Sequence, residues 1–350
     1  FTLGLIVFGI QFLAAWFIKS KASAAIPSHK KRLQGVSIII PFHNEEKRIY
    51  GLLEALNNAI IPDNAEVIFV DDYSTDNSVQ CVKNELNILY KIEPNTVERG
   101  KKYAIQHGVN RAKYNHILTL DADVTFKSDF FEHICQLPGE DMIVLPVQMS
   151  GMSLLGYLAS IEFGFLQRLT FALIHLGKPA LCNGANLLFN KQCFLKVDTN
   201  RTDYAIPSGD DLFLLKEFRK AGFSVMGYNQ PQLRVSSYAP VTWKSLLSQR
   251  KRWIGKMNGL LTKELALAGM LLLAVQLMFL LICVLGFIQP FLWTLLLIKF
   301  GSELITLWQK DSSPIKVLGL VLLHQFWYPI YLLMAIIPVR LDERWQVSKG

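Results

Sequence analysis

The chain has 350 residues, 51% of them hydrophobic, and a formal net charge of +8; its mean hydropathy is +0.28 and its isoelectric point about 9.1. So much apolar material excludes a soluble domain running from end to end, and the length suits one sizeable α/β domain beside a membrane portion. The basic excess does not point to nucleic acid, because it lies beside apolar segments and no nucleic-acid-binding motif accompanies it.

Phe1 to Ile18 carry no charged side chain and are long enough to cross a hydrocarbon core of about 30 Å. No small-residue cleavage site leads from them into a secreted domain, so residues 1–18 are expected to be a retained anchor. Residues 19–34 then form a basic linker, with five basic residues and no acidic one between Lys19 and Arg32.

Val36 to Ile40 is a β-branched run that stops at Pro41, and Glu45 to Asn58 follows with Ile49, Leu52, Leu53 and Leu56 at helical spacing. Val67 to Val70 is a second buried strand, ending in Asp71-Asp72-Tyr73-Ser74-Thr75-Asp76. Ser74 or Asp76 would cap the helix that carries Val79 and Val82. Ile88 to Tyr90 is expected as a short third strand, and a helix from Lys101 to Arg111 precedes a fourth at Ile117 to Leu120. Alternating strands and helices predict a parallel α/β sheet with right-handed crossovers, whose ligands bind at the carboxyl ends of the strands. The polar clusters fall at those ends: Phe42-His43-Asn44-Glu45, Asp71-Asp72 and Asp121-Ala122-Asp123. On extended backbone Asp121 and Asp123 point to one face. Two hard oxygen ligands there suit Mg²⁺ or Mn²⁺ gripping a substrate's phosphates, although ordinary turn aspartates also occur at such places.

Leu154 to Ile174 is apolar but interrupted by Glu162, Gln167 and Arg168, which fits either an amphipathic helix on a membrane surface or a packed core helix. After Cys182-Asn183-Gly184-Ala185-Asn186 comes Ser208-Gly209-Asp210-Asp211-Leu212, opening a helix over Leu212 to Ala221. A carboxylate is favoured there by the helix dipole, so a plain N-cap would also explain the pair. Arg219 to Lys263 holds nine basic residues and no acid. Leu265 to Ile288, Phe291 to Trp308 and Val317 to Val339 then supply two to three spans within residues 264–340. Positive charge at both junctions puts the central domain, residues 35–258, in the cytoplasm of an integral membrane protein, with a cell inner membrane as the expected location. Four spans in total would place the tail Arg340 to Gly350 outside, and a re-entrant third segment would return it. The five cysteines show no C-x-x-C and the seven histidines no metal-ligand spacing; the cysteines read as small core residues in a reducing compartment.

Six short motifs occur in order: Val36 to Glu45, Val70-Asp71-Asp72-Tyr73-Ser74-Thr75-Asp76, Gly100-Lys101 with Ala104, Asp121-Ala122-Asp123, Gly209-Asp210-Asp211, and Gln249-Arg250-Lys251-Arg252-Trp253. In this order the chain resembles the membrane-bound family-2 glycosyltransferases over residues 35–255. It is similar to the branch with a Q-x-x-R-W motif that contains cellulose, chitin and hyaluronan synthases and the ceramide glucosyltransferases. The resemblance implies an α/β fold of GT-A type, a parallel-core sheet with flanking helices, plus N- and C-terminal transmembrane helices.

It also implies roles. Glu45 and Asp72 would accept hydrogen bonds from the ribose and base of a nucleotide sugar, and Lys101 would approach the diphosphate or the base. Asp121 and Asp123 would bind the donor sugar and a divalent cation, Mg²⁺ or Mn²⁺. Asp211, supported by Asp210, would take the proton from the attacking hydroxyl. Gln249, Arg252 and Trp253 would complete the site, guanidinium on phosphate and indole under a sugar. The expected activity is inverting, metal-dependent transfer of a hexose from a UDP-sugar to a lipid or lipid-linked acceptor. Two departures bear on this. The family usually has Glu-Asp where this chain has Asp210-Asp211, and the gating-loop motif of the polymer synthases is missing. The second favours single transfer over a processive polysaccharide synthase. A catalytically silent carbohydrate-binding partner at the membrane would be expected to lose an acidic motif, and none is lost; a nucleotidyltransferase would need a basic, Gly-rich loop in place of Phe42-His43-Asn44-Glu45.

Overall fold

The computed structural model describes residues 1–22, 32–85, 90–96, 98–204, 206, 209–256, 260–307, 318–319, 321–325 and 328–329. In chain order the elements begin with α1 (Thr2–Lys21), β1 (Val36–Phe42), α2 (Tyr50–Asn57), β2 (Ala65–Asp71), α3 (Ser78–Glu85), β3 (Tyr90–Pro94), α4 (Lys101–Arg111) and β4 (His116–Leu120). Then come β5 (Val124–Thr125), α5 (Phe130–Cys135), β6 (Met142–Val144), β7 (Val147–Ser150), α6 (Leu154–His175), β8 (Asn186–Asn190) and α7 (Lys191–Asp198). The series closes with α8 (Asp210–Lys220), β9 (Val225–Gly227), β10 (Val235–Tyr238), α9 (Trp243–Lys256), α10 (Lys263–Leu285) and α11 (Thr294–Leu307). These form two compact units. One gathers Phe1–Ser23, Gly151–Leu173 and Pro240–Arg340; the other gathers Ala24–Ser150 and Ile174–Ala239. Most of α6 and all of α9, within the stretch 35–258 expected as one domain, belong to the first of these units.

The second unit holds a seven-stranded sheet in the order β3-β2-β1-β4-β8-β6-β9 and a small sheet β5-β10-β7. Its core is parallel, with β1 between β2 and β4, and β3 beside β2. All seven residues of β1 are buried, which accounts for its unbroken apolar run. The strand does not stop at Pro41, as the sequence suggested, but continues to Phe42. Pairing with β4 ends at Ile39, so the proline's missing N–H breaks no bond on that side. The sheet is not parallel throughout: β8 runs antiparallel to both β4 and β6. The third strand is described over Tyr90–Pro94; of the expected Ile88 to Tyr90, residues 88–89 lie outside the described ones. Helix α4 lies close on the sheet at Gly108, where a Cβ would sit 2.6 Å from Ile39 Cγ2 and 3.2 Å from Val70 Cγ2.

The first unit contains the two described helices long and apolar enough to cross a membrane, Thr2–Lys21 and Lys263–Leu285. Phe8 of α1 joins Val275, Phe279, Ile282, Leu292, Leu295 and Leu296 in its apolar core. The span expected over Phe291 to Trp308 begins instead with a 3-10 turn at Pro290–Trp293. The helix that follows has 14 described residues, about 21 Å at 1.5 Å per residue. It carries the fully buried Lys299, whose ammonium lies 2.6 Å from Glu303 Oε1 and also bonds Gln325. Most of the third candidate span, Val317 to Val339, and the tail Arg340 to Gly350 fall outside the described residues. Helix α6 buries Leu158, Ala159, Phe163, Leu169 and Phe171 while exposing Leu154 and Tyr157, so it is a packed helix with one open face. Of the cysteines, all free, Cys81 alone is buried; the others are half-buried rather than core.

Candidate active site

The site is assembled where the parallel strands end. Beyond β1 and β2 the two loops are laced together: Asn44 N–H donates to Ser74 Oγ over 3.1 Å and Thr75 N–H to Asn44 Oδ1 over 2.7 Å. Glu45 N–H donates to Ser78 Oγ over 2.7 Å, and Glu46 N–H to Asp76 Oδ2 over 3.2 Å. Asp76 also accepts from Ser78 N–H over 3.0 Å; of the two candidate caps, it is the one that holds the start of α3. The lacing keeps Asn44 and Tyr73 at positive φ, 53° and 59°. Asparagine tolerates that backbone, but tyrosine adopts it at a cost on the order of 1 kcal/mol or more.

Asp72 is fully buried at this junction. Its Oδ1 accepts from Asn95 Nδ2 over 2.8 Å and from Gly100 N–H over 2.9 Å, while Oδ2 has no partner. Gly100 can present its N–H because it sits at φ 141°, where a side chain is strained. Beside it, Arg99 Nη2 donates to His43 Nε2 over 2.8 Å. Arginine can only donate, so His43 carries its proton on Nδ1, which donates to Asp72 O over 2.7 Å.

Gly100 opens α4, whose first residue is Lys101. Its Nζ lies 2.6 Å from Asp121 Oδ1 and 3.3 Å from Asp210 Oδ2. Burial alone would lower this ammonium's pKa; Asp121, Asp210 and Asp211 outweigh burial and hold it well above the ordinary lysine value. On the other side of the carboxylate pair, Arg48 donates to Glu45 Oε1 over 2.7 Å and lies 3.9 Å from Asp123 Oδ2. Burial raises the Glu45 carboxyl to about 7, against the lowering effect of Arg48 and with that of Asp123 and Asp121. Burial and then the neighbouring Asp121 raise Asp123 as well.

Asp210 and Asp211 occupy the first turn of α8, and the cap position belongs to Gly209 in the left-handed region at φ 82°. The plain N-cap reading of the pair is therefore corrected. Asp211 Oδ2 accepts from Gly184 N–H over 3.2 Å and Oδ1 from Leu212 N–H over 2.8 Å. Each oxygen keeps a lone pair for a further donor. The structure thus brings together Lys101, Asp121, Asp210 and Asp211 on one side, and Glu45 and Asp123 about Arg48 on the other. Arg48 and Gly184 were invisible to motif reading.

The remaining three expected site residues, Gln249, Arg252 and Trp253, lie on α9 in the first unit. There Arg250, buried to 3% exposure, donates to Glu162 Oε2 from Nε over 3.0 Å and from Nη2 over 2.7 Å. It also donates to Gln249 Oε1 and stacks its guanidinium 4.2 Å from the Trp253 ring centre. Arg252 is exposed and Trp253 half-buried. Arg250 lies inside the Q-x-x-R-W motif at an unspecified position, which is why the motif gave no signal for it.

Among the described residues no cluster of three or more His, Cys, Asp or Glu is arranged as a self-sufficient metal cage. Asp121 and Asp123 nonetheless fit a hard cation. Both offer carboxylate oxygens, Glu45 Oε2 nearby is buried without a partner, and Mg²⁺ or Mn²⁺ completes its shell from substrate phosphates and water.

Residues 37–160 match the profile of glycosyl transferase family 2, and residues 116–338, well over half the chain, match glycosyl transferase family group 2. The chain is a family-2 glycosyltransferase. A poly-beta-1,6-N-acetyl-D-glucosamine synthase of Staphylococcus epidermidis is 28% identical over 118 residues, 33% of this chain and 28% of the relative. A 4,4'-diaponeurosporenoate glycosyltransferase of Staphylococcus aureus is 35% identical over 113 residues, 31% of this chain and 30% of the relative. This family-2 chain thus spans less than a third of the length of either relative. In structure it is similar to a mannosyltransferase from Pyrobaculum calidifontis solved with GDP-Man and Mn²⁺, with a TM-score of 0.56 at 16% identity over 93% of this chain and 97% of that one. The likeness carries the GT-A fold that the motifs implied.

Proposed function

We propose that this family-2 protein transfers a hexose from a UDP-sugar to a lipid or lipid-linked acceptor, with inversion, at the cytoplasmic face of a membrane. The observation that carries the reading is Asp211: a carboxylate held by two backbone N–H groups beside the Lys101–Asp121–Asp210 cluster. A fixed carboxylate with free lone pairs suits a general base. In the reaction the acceptor oxygen bonds to the anomeric carbon, the bond from that carbon to the diphosphate breaks, and the hydroxyl proton passes to Asp211. A divalent cation held by Asp121 and Asp123 would supply neutralising charge for the diphosphate. Lys101 adds a side-chain cation to the same leaving group, and Asp210 keeps Lys101 aimed.

Uracil is favoured as the base by the state of Asp72. One of its oxygens is saturated by Asn95 and Gly100, and the other is free. A single free oxygen matches the single N–H on the pairing edge of uracil. Guanine presents an N–H and an amino group together, which call for both oxygens. Glu45 then serves the ribose. On α9, Gln249, Arg252 and Trp253 are the residues to which acceptor and phosphate contacts are assigned. The two apolar helices and the basic segments that flank them support a membrane location with the catalytic unit in the cytoplasm.

The named relatives include both a polymer synthase and a transferase to a discrete acceptor, so product size decides between single transfer and processive synthesis. The test is a screen of UDP-sugars with Mg²⁺ or Mn²⁺ against total membrane lipids, read by mass spectrometry. The reading predicts one new glycolipid mass, lost in Asp121→Ala. A ladder of increasing polymer lengths would replace single transfer with processive synthesis, and no product from any donor would sink the assignment.

A further inference from the structure

Lys102 is a buried cation that the proposed reaction does not use. It follows Lys101 on α4 and is 5% exposed. A lone ammonium is costly to bury, and this one fills all three of its donor positions. Nζ donates to Asp203 O, to Ile206 O over 2.9 Å and to Asp203 Oδ2 over 2.7 Å. Two of these acceptors are main-chain carbonyls, so the side chain fixes backbone as well as balancing charge. One helical turn on, Gln106 Nε2 donates to Asp198 Oδ2 over 2.6 Å. Residues four apart share a helix face, and this face of α4 grips the chain at Asp198, Asp203 and Ile206, ahead of Gly209 and α8. Charge balance alone does not require Lys102, because Arg201 already meets the Asp203 carboxylate with two bonds, over 3.0 and 2.8 Å.

The grip reaches the carboxylate assigned as general base. Lys102 Nζ lies 4.9 Å from the centre of the Phe213 ring on α8, and Lys102, Arg201, Asp210 and Asp211 line one cavity. Lys101 in turn lies 3.3 Å from Asp210 Oδ2. Two successive lysines of α4 thus hold the chain entering α8, Lys102 at Asp203 and Ile206 and Lys101 at Asp210. Slack left by a missing Lys102 ammonium would open beside Asp211.

We propose that Lys102 is a positioning residue for Asp211: its ammonium ties the main chain at Asp203 and Ile206 to α4, and so sets where α8 begins and how Asp211 is aimed at the acceptor hydroxyl. The inference rests on the assignment of Asp211 as general base. Lys102 acts only through the backbone that it holds. Its loss should therefore lower turnover and leave donor binding alone, and it should matter only while Asp211 is there to be aimed.

The experiment is a double-mutant cycle on the purified full chain: wild type, Lys102→Met, Asp211→Asn and the double variant. Acceptor-dependent UDP release is read with total membrane lipids and the UDP-sugar that the wild type turns over, and UDP binding is read by calorimetry on the same samples. Lys102→Met should lower kcat by about 10- to 100-fold, the scale of a small misplacement of a reacting group, with UDP affinity within about threefold of the wild type. In the Asp211→Asn background the same change should cost less than about threefold, because residues that act as a unit are not additive. Lys102→Gln keeps an amide donor on a shorter stem; it should lose less than Lys102→Met and carries the test should that variant not fold. Wild-type turnover in a folded Lys102 variant, with Asp211→Asn inactive, would overturn the inference and leave the base assignment standing. An equal proportional loss in both backgrounds would do the same, since a merely structural lysine costs turnover whether or not Asp211 is present. Wild-type turnover in Asp211→Asn, or no UDP release by the wild type with any UDP-sugar, would overturn the proposed reaction and the inference with it.

Discussion

The backbone N–H of Gly184 donates to Asp211 Oδ2 over 3.2 Å, so a residue ahead of β8 aims a carboxylate in the first turn of α8. The same glycine leaves no room for a side chain. A Cβ would stand 2.9 Å from Asp210 Oδ2 and 3.4 Å from Asp211 Cβ. Gly184→Ala should therefore push the pair off its aim. The expected result is a fall in kcat of roughly 10- to 100-fold, the scale that small misplacements of a reacting group produce. UDP affinity, assigned in the proposed function to Asp72 and Glu45, should change by no more than about threefold. Steady-state UDP release and calorimetric UDP binding check the two halves.

The Glu45 carboxyl titrates near 7, raised from an ordinary 4.5 chiefly by burial, with Arg48 opposing and Asp123 and Asp121 adding. The folded chain therefore binds a proton there that the unfolded chain has released. Between about 4.5 and 7 this group's contribution to stability is lost as pH rises. Donor binding should move the other way, because in the proposed role the ionised carboxylate accepts from ribose hydroxyls. UDP affinity should climb more steeply from pH 6 to pH 8 in the wild type than in Glu45→Gln, where only the ionisation of UDP's own terminal phosphate remains. Calorimetric titration across that range checks it, and an equal slope in both proteins would remove Glu45 from the donor site.

Much of this architecture is legible in the residues. Strands β1, β2 and β4 stand out because burial on both faces demands unbroken apolar runs, and α4 runs where its sequence predicts, Lys101 to Arg111. The continuation of the third strand past Tyr90 was not legible, because Lys91 to Pro94 contains Lys91 and Glu93 and has no apolar run to announce it. The reversal at β8 left no mark, since Asn186 to Asn190 has the same apolar centre whether it pairs parallel or antiparallel. Asp72, Asp121 and Asp211 were legible through their motifs. Arg48, Gly184 and Arg250 were not, because their roles come from neighbours distant in sequence: Asp123, Asp211 and Glu162.

The Arg250–Glu162 pair offers a stability test inside the helical unit. Arg250→Met should leave Glu162 half-buried without its guanidinium and destabilise that unit by about 3–5 kcal/mol, the usual cost of breaking a buried pair. Adding Glu162→Gln to the same chain should recover a large part of the loss. Thermal unfolding in detergent of the two variants and the double variant measures the coupling.

Gly108 tests the packing that carries α4 and hence Lys101. Its would-be Cβ lies 2.6 Å from Ile39 Cγ2 on the fully buried β1. Gly108→Ala should cost about 1–3 kcal/mol by overpacking, against a small gain in helix propensity. A lowered unfolding temperature is the expected reading, and an unchanged one would mean that α4 can lift from the sheet without penalty.

The central claim is that Asp211 takes the acceptor's proton. Its direct measurement is acceptor-dependent UDP release in Asp211→Asn beside the wild type, at saturating UDP-sugar and Mn²⁺, with UDP binding measured on the same samples. The account predicts that the variant binds UDP within about threefold of the wild type while turnover falls by roughly 10²- to 10⁴-fold, the usual worth of a general base. Turnover in Asp211→Asn equal to that of the wild type would contradict it.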